Sequence, residues 1–422
     1  VSLAEEPVHN AYGPRFWATY VSNIALMVAV SLLFRYADFV SSLGGSEDQL
    51  GFITGLGMIG GIAARCFLGV AIDSYGAGRV WVLSLLLLVC CLLGHLAIHS
   101  LQPPFIHLLR ILYTIALAGN FGASITFVTL RAPASRMGEM IGMLGSSGFI
   151  GMGIGPSIGD WLLAEVTPET LATKLFYWSA GAAALSLLFA FFATFGLPRP
   201  NRDATDHREE KFSWAQLARR YHPGWTLLVG FAMGLGIGMP GTFVSAFADV
   251  KGIAELGWYW TPYTVTAFLV RMATRKLSDQ WGTRPTTLLG LSCLGISQFA
   301  YLLVSTPTTL IIPAVLGGFG HALLFPAAMS EGNQSFPPKY RGIATTLMLM
   351  MFDIGMLVGQ PVFGWTIEFA RAAGLNEYSV AFSLLGVTLL LIAVLYGCFK
   401  KNERVEDQHL ATLSREKVAS VH

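Results

Sequence analysis

Charge is scarce in this sequence. Its 27 basic and 25 acidic residues make up only 12% of 422, while hydrophobic side chains supply 54%. A water-soluble domain carries about a quarter of its residues as charges, so a soluble globular protein is excluded. Cysteine is scarce too. The five, Cys66, Cys90, Cys91, Cys293 and Cys398, sit in or beside apolar runs without zinc-like spacing, and neither a disulfide nor a metal site is expected. The chain also lacks a phosphate-binding glycine loop, a nucleophile elbow and any polar stretch large enough to house an active site. No enzyme and no cofactor are expected. The formal charge of +2 offers nothing to a nucleic acid, and the polar start "VSLAEEPVHNAYGPR", with Glu5 and Glu6, is not expected to be a cleavable signal.

Long apolar runs are what the chain has in abundance. A bilayer core of about 30 Å takes about 20 apolar residues as a helix, and twelve runs of that kind are present. They cover 16–40, 49–71, 79–99, 104–130, 138–164, 174–197, 224–249, 255–278, 285–305, 309–333, 341–368 and 377–399. They are continuously apolar and too long for tilted strands, so the fold class is an all-α membrane protein. With both termini cytoplasmic, 22 of the 27 basic residues fall on the cytoplasmic side, counting Arg65 and Arg271 as helix ends, and only Lys174, Lys251 and Arg371 fall outside. That asymmetry sets the expected orientation.

The longest internal polar stretch separates six runs from six. The expected organisation is an N-terminal bundle over 1–197, a linker over 198–223, a C-terminal bundle over 224–399 and a tail over 400–422. In the linker, Phe212, Trp214 and Leu217 beside Arg219 and Arg220 suit either a helix lying on the membrane surface or a solvated loop. The halves repeat each other. Arg65 precedes Asp73 by eight residues as Arg271 precedes Asp279, and a shift of 205 pairs Arg136 with Arg341, Pro156 with Pro361 and Gly159 with Gly364. Transporters are built from such repeats, with the substrate site between them near the bilayer midplane.

At these residues the chain resembles the major facilitator superfamily along its whole membrane region, most closely its bacterial drug and sugar efflux branch. The resemblance implies two pseudo-symmetric six-helix bundles, alternating access, a monomer and a bacterial inner membrane. It is carried by "GVAIDSYGAGR", with Gly69, Asp73, Gly76 and Arg79, and by "DQWGTR", with Asp279, Gly282 and Arg284. In similar proteins this loop latches the halves together on the cytoplasmic side. Here Ser74 replaces the usual arginine. "GMGIGPSIGD" resembles the antiporter signature through Gly151, Gly155, Pro156 and Gly159, with Asp160 in place of a glycine; its glycines serve close helix packing and Pro156 a bend. In "GFAMGLGIGMPGTF", Pro240 among glycines marks a helix able to bend during gating.

Charges inside the membrane carry a penalty of about 2.5 to 3.5 kcal/mol and mark functional candidates. Asp353 is twelve residues into its run, ~18 Å at 1.5 Å per residue and close to the midplane. It is a candidate to carry the coupling proton, to pair with a cationic substrate, or to tie its helix to a neighbour. His321 suits a proton relay or a packed, hydrogen-bonded role. Arg110 stands where the resemblance places an arginine linked to proton coupling, although Tyr113 and Thr114 replace the residues that usually follow. Arg35 is expected to pair with Asp38 three residues on, or, with Arg110, to attract an anionic substrate. The resemblance makes spans 1, 4, 7 and 10 cavity walls and so nominates Tyr36, Asn120, Phe243, Phe247 and Phe325, with Gln360 as a further polar candidate; periodicity alone reads each as packing.

The leading expectation is a secondary transporter of a small organic molecule, exporting it in exchange for protons. Uptake of an organic anion is the alternative, and a non-transporting receptor or scaffold is the alternative from another class.

Overall fold

The computed structural model describes residues 12–101, 104–133, 136–164, 167–196, 214–221, 223–274, 281–337 and 340–399. The linker up to residue 213, Asp279 and the tail from 400 lie outside the described residues. Within the described residues, twelve long helices follow one another. In the first half these are α1 (Pro14–Ser42), α2 (Glu47–Tyr75), α3 (Ala77–Ala97), α4 (Phe105–Thr129), α5 (Met137–Leu163) and α6 (Pro168–Thr194). In the second half they are α7 (Thr226–Val250), α8 (Gly257–Ala273), α9 (Thr283–Leu303), α10 (Thr308–Gln334), α11 (Arg341–Ala372) and α12 (Glu377–Phe399). Eleven are long and apolar enough to span a membrane over their described length, and α8, 17 residues as described, is the twelfth. A short helix, Trp214–Arg220, precedes α7 and turns Leu217 inward with Arg219 and Arg220 exposed.

Helices are the form this composition dictates, because a hydrocarbon environment leaves backbone groups no partner outside their own segment. Local signals set the ends. Ser46 and Gln49 form a capping box at the start of α2, where the Ser46 amide donates to Gln49 Oε1 at 3.2 Å. The repeated loops turn at Gly76 (φ 85°) and Gly282 (φ 92°), a left-handed backbone that glycine alone adopts without strain. The α2 helix outruns its expected end by four residues. Arg65 therefore sits ten residues inside its terminus and not at a helix end.

Packing repeats with the sequence. The contacts of α1 with α5 and α6, of α2 with α4, and of α3 with α4 and α6 recur as α7 with α11 and α12, α8 with α10, and α9 with α10 and α12. The halves meet along two seams, α2 against α11 and α5 against α8, which the same pseudo-symmetry interchanges.

The seams are closed at one end only. At the end carrying Ser42, Glu47, Gly257 and Ala372, glycines allow backbone-to-backbone approach: a methyl group on Gly51 would strike the Gln360 carbonyl, and one on Gly364 would lie 2.9 Å from Asp48 Cα. Phe34 of α1 stacks on Trp260 of α8 with ring centroids 3.9 Å apart. At the other end, which carries Pro14, Tyr75, Thr194 and most of the described basic residues, a methyl group on Gly69 or Gly342 of one seam, or on Gly142 or Gly145 of the other, would meet nothing within 4 Å. The bundle is sealed at one end and open at the basic end.

Candidate functional site

The deepest polar link between the halves lies on the α2/α11 seam. Arg65 Nε donates to Asp353 Oδ2 at 2.7 Å and Arg65 Nη2 approaches Oδ1 at 3.4 Å, with the side chains 12% and 8% exposed. Gly61, one turn earlier on α2, leaves room for the carboxylate: its Cβ position would be 3.1 Å from Oδ2. Asp353 thus has a partner in the other half, and its charge is committed to that partner in this state. The sequence carried the signal, since Arg65 is a repeat landmark eight residues before Asp73, but which face of α2 it occupies was not readable.

At the sealed end two further clusters tie the halves. A 3₁₀ turn at Leu33–Arg35 interrupts α1 and aims Arg35 across the interface. Its guanidinium donates to Asp38 at 3.0 Å, to Asp160 at 2.6 Å and to the Ala254 carbonyl at 2.6 Å. Asp160 also accepts the Leu256 and Gly257 amides at 2.9 and 2.6 Å. A carboxylate from one half therefore caps the first turn of α8 in the other, where unsatisfied amides and the helix dipole favour negative charge. On the α2/α11 seam Arg371 clasps Glu47 with two hydrogen bonds, 3.0 and 3.1 Å, and the Tyr378 hydroxyl donates to the same carboxylate at 3.1 Å.

The family model described as Major Facilitator Superfamily matches residues 16–310 and 254–419. The chain belongs to the Major Facilitator Superfamily. Among characterised relatives, a probable 4-methylmuconolactone transporter of Cupriavidus pinatubonensis is 26% identical over 76% of this chain and 77% of its own length. A cis,cis-muconate transport protein of Acinetobacter baylyi is 25% identical over 85% of this chain and 86% of its own. The crystal structure of a D-xylose–proton symporter superposes with a TM-score of 0.74 over 91% of this chain and 96% of its own, at 14% identity, a likeness of fold alone. The protein is a secondary transporter integral to the membrane, and not an enzyme.

Asp73 and Arg79 are exposed and make no hydrogen bond or ion pair with described residues, while Arg284 donates to the Gly397 carbonyl at 2.5 Å within its own half. Among the described residues, Asp73, Arg79 and Arg284 make no contact that would latch the halves together. The antiporter-like glycines pack α5 on α1: Gly151 faces the Ile24 carbonyl and Met27, Gly155 faces Ser31 and Val28, and Gly159 faces Leu32 and Arg35. Pro156 and Pro240 both lie inside their helices.

Several nominated wall residues are packing residues instead. Tyr36 lies under the Arg110 guanidinium, 4.4 Å from ring centroid to Cζ, with Tyr113 on the other side at 4.8 Å. Arg110 is thereby buried in the first bundle. Asn120 accepts a hydrogen bond from Trp81 Nε1 at 3.0 Å; Phe247 is enclosed by Tyr301, Tyr378 and Phe382. Phe243 packs on Phe363 and beside Gly51, and Gln360 donates to Thr242 at 2.8 Å. Arg35 is no open anion site either, because two aspartates neutralise it. These corrections share one cause: alternation of helix faces decides burial, and family position alone does not. His321 does contact the opposite half. The His321 ring lies 2.8 Å from the Tyr263 hydroxyl through Nδ1 and meets Phe149 of the opposite half edge-on at 5.6 Å, with Phe325 at 6.1 Å.

Proposed function

We propose that the protein moves a small organic acid together with protons, and that Asp353 is where the proton acts. Its basic end faces the cytoplasm of a bacterial inner membrane by the positive-inside rule, which makes this the inward-open state. The observation that supports the reading best is the Arg65–Asp353 pair. Both groups are largely withdrawn from water, so each stabilises the other's charge far more than a surface pair would. A proton on Asp353 cancels the attraction and leaves Arg65 a lone cation on the seam, which favours separation of α2 from α11. Deprotonation restores the pair. The proton is thus coupled to whether the halves are joined on that seam, and alternating access follows from repeating the step on each side.

An organic acid is favoured over a drug-like cation for two reasons. Asp353 is already occupied by Arg65, and among the relatives matched over more than three quarters of this chain two carry the names of muconate, a carboxylate, and of a muconolactone, beside a probable nitrate/nitrite antiporter. Uptake then follows the inward proton gradient, whereas export by exchange is the competing direction. A receptor without transport activity has no use for a protonatable link between halves.

The test is proton flux into liposomes holding the full-length protein, with cis,cis-muconate, benzoate, xylose and a quaternary ammonium compound offered in turn, for wild type and Asp353→Asn. Co-movement of protons with a carboxylate in wild type, and its loss in the variant with carboxylate binding retained, is the expected result. Unchanged proton movement in Asp353→Asn would remove Asp353 from the coupling step. Flux with the ammonium compound alone would sink the organic-acid reading.

A further inference from the structure

The two seams between the halves differ on the side that faces lipid. On the α2/α11 seam, glycines bring the helices into close contact, Gly51 against Gln360 and Gly55 against Pro361. On the α5/α8 seam the helices run antiparallel. They meet at Asp160 and Gly257, again at Gly153 and Thr264, and share the cluster of Phe149, Ala267 and Phe268. A cavity of about 640 Å³ runs along this line of contact. Ile150, Ile154, Ser157 and Trp161 recur at helical spacing on one face of α5 and are exposed, as are Thr261, Val265 and Leu269 on α8; all of them line the cavity. Trp161 is 73% exposed beside the sealed end, so this face looks out of the bundle into hydrocarbon and not into the space between the halves.

Length, ends and chemistry together define an occupant. From Phe149 to Trp161 is twelve residues, ~18 Å at 1.5 Å per residue and close to half of a hydrocarbon core of about 30 Å, so the groove spans one leaflet. Its outer end lies at Trp161, and at the same level on α8 Trp258 donates Nε1 to Glu255 at 2.9 Å. Tryptophans so placed mark the headgroup level. The inner end is closed by Phe149 and Phe268, packed with Ala267 and Ala322. Among the described residues that line the groove none is charged, so it offers nothing to a carboxylate. Its hydroxyls are those of Ser157, Thr261 and Thr264, and Thr264 commits its own to the Trp260 carbonyl at 2.8 Å. Water, which needs about two to four polar partners, is poorly held there. Left empty, the groove would forfeit the van der Waals contacts of its walls.

We propose that the acyl chain of a membrane phospholipid, entering from the leaflet on the sealed side, occupies this groove and completes the α5/α8 seam. One seam is then closed by the protein's own glycines and the other by the bilayer, and α5 shifts against α8 only as the chain moves with it. The assignment does not depend on which solute is carried.

The test uses the full-length protein in vesicles of phosphatidylethanolamine and phosphatidylglycerol, doped with a phospholipid that carries a photoreactive diazirine on its acyl chain. After illumination, crosslinked residues are mapped by mass spectrometry. A diazirine near the chain terminus should label Phe149 and Phe268, and one near the ester should label Trp161 and Thr261. Both should exceed several-fold the labelling at equal depth on the exposed faces of α3 and α12, which carry Leu86 and Val387. Ile154→Trp combined with Val265→Trp fills the groove and should reduce its labelling to that background, while α3 and α12 keep theirs. Labelling in wild type no greater than on α3 and α12 would show ordinary boundary lipid and overturn the assignment, whether or not the filled variant folds. A reversed pattern, with the chain terminus at Trp161, would overturn the entry from the sealed side. Loss of the label on adding cis,cis-muconate or benzoate would show that the groove holds a carried solute instead of lipid, which also overturns it.

Discussion

On the α2/α11 seam, Gly51, Gly55 and Gly61 let α2 lie against Gln360, Pro361 and Asp353, and the contact runs from Glu47 and Arg371 at the sealed end down to Arg65 near the middle of the membrane. On the α5/α8 seam, Asp160 caps α8 at the sealed end and Gly153 meets Thr264, but a cavity lined by these two and by Phe149, Trp161 and Phe268 runs along the contact, and Arg271 makes no hydrogen bond or ion pair with a described residue. Equivalent helices in equivalent places thus hold by different means. One seam is self-sufficient, with its own anion, and the other is incomplete. A seam that satisfies itself can be changed only by altering its own charge.

Breaking the self-sufficient seam should have the largest effect. Asp353→Asn strips Arg65 of its buried counter-charge, a loss of about 3 to 5 kcal/mol for such pairs; the thermal transition of the purified protein should fall, and proton-coupled transport should vanish. Adding Arg65→Gln should recover most of the stability and none of the coupling, which separates the structural share of the pair from its proton-linked share. Next comes the cap on the other seam. Asp160→Ala removes three hydrogen bonds to charged or helix-terminal donors and should weaken the seal by about 2 to 3 kcal/mol. Hydrogen exchange at Leu256 and Gly257 should speed up accordingly, while exchange on α11 should change little. If α11 loosens equally, the two seams are not separable units.

A steric wedge probes the same asymmetry from the other direction. Gly51→Ala places a methyl against the Gln360 carbonyl and should disfavour the sealed state by about 1 to 3 kcal/mol. Spin labels across the sealed end should then move apart in a larger share of molecules, whereas Gly148→Ala, with open space on the second seam, should leave that distribution unaltered. The smallest effect belongs to Arg371→Gln. Its side chain is 41% exposed, water and salt screen the bond to Glu47, and a change of about 1 kcal/mol or less is expected in the same measurement.

The membrane helices were legible because hydropathy is a property of runs, and a run reads the same in sequence and in space. Asp353 stood out for a related reason, as a charge in an otherwise apolar stretch. Its partner did not. Arg65 looked like a helix end because the apolar run stopped at residue 71, yet hydrogen bonding carries α2 through to Tyr75 and draws Arg65 inside. Asp160 was noticed only as a departure from a glycine motif, and its role as a cap on α8 depends on a contact 96 residues away. Tyr36, Asn120, Phe243 and Phe247 were nominated by position in the family and proved to be packing residues, since a helix's inward face depends on rotation that no single run records.

From the order of its residues alone it follows that this chain enters a membrane as helices, in two copies of one plan, with its basic residues gathered at one end. Composition suffices for that, because a bilayer tolerates little else. Packing in three dimensions was needed to settle which arginine has an aspartate among the described residues, which end is sealed, and which glycines are contacts and which are gaps. Those depend on the rotation and tilt of helices hundreds of residues apart, and in a low-dielectric interior a charge is stable or exposed according to the few ångströms that separate it from its counter-charge.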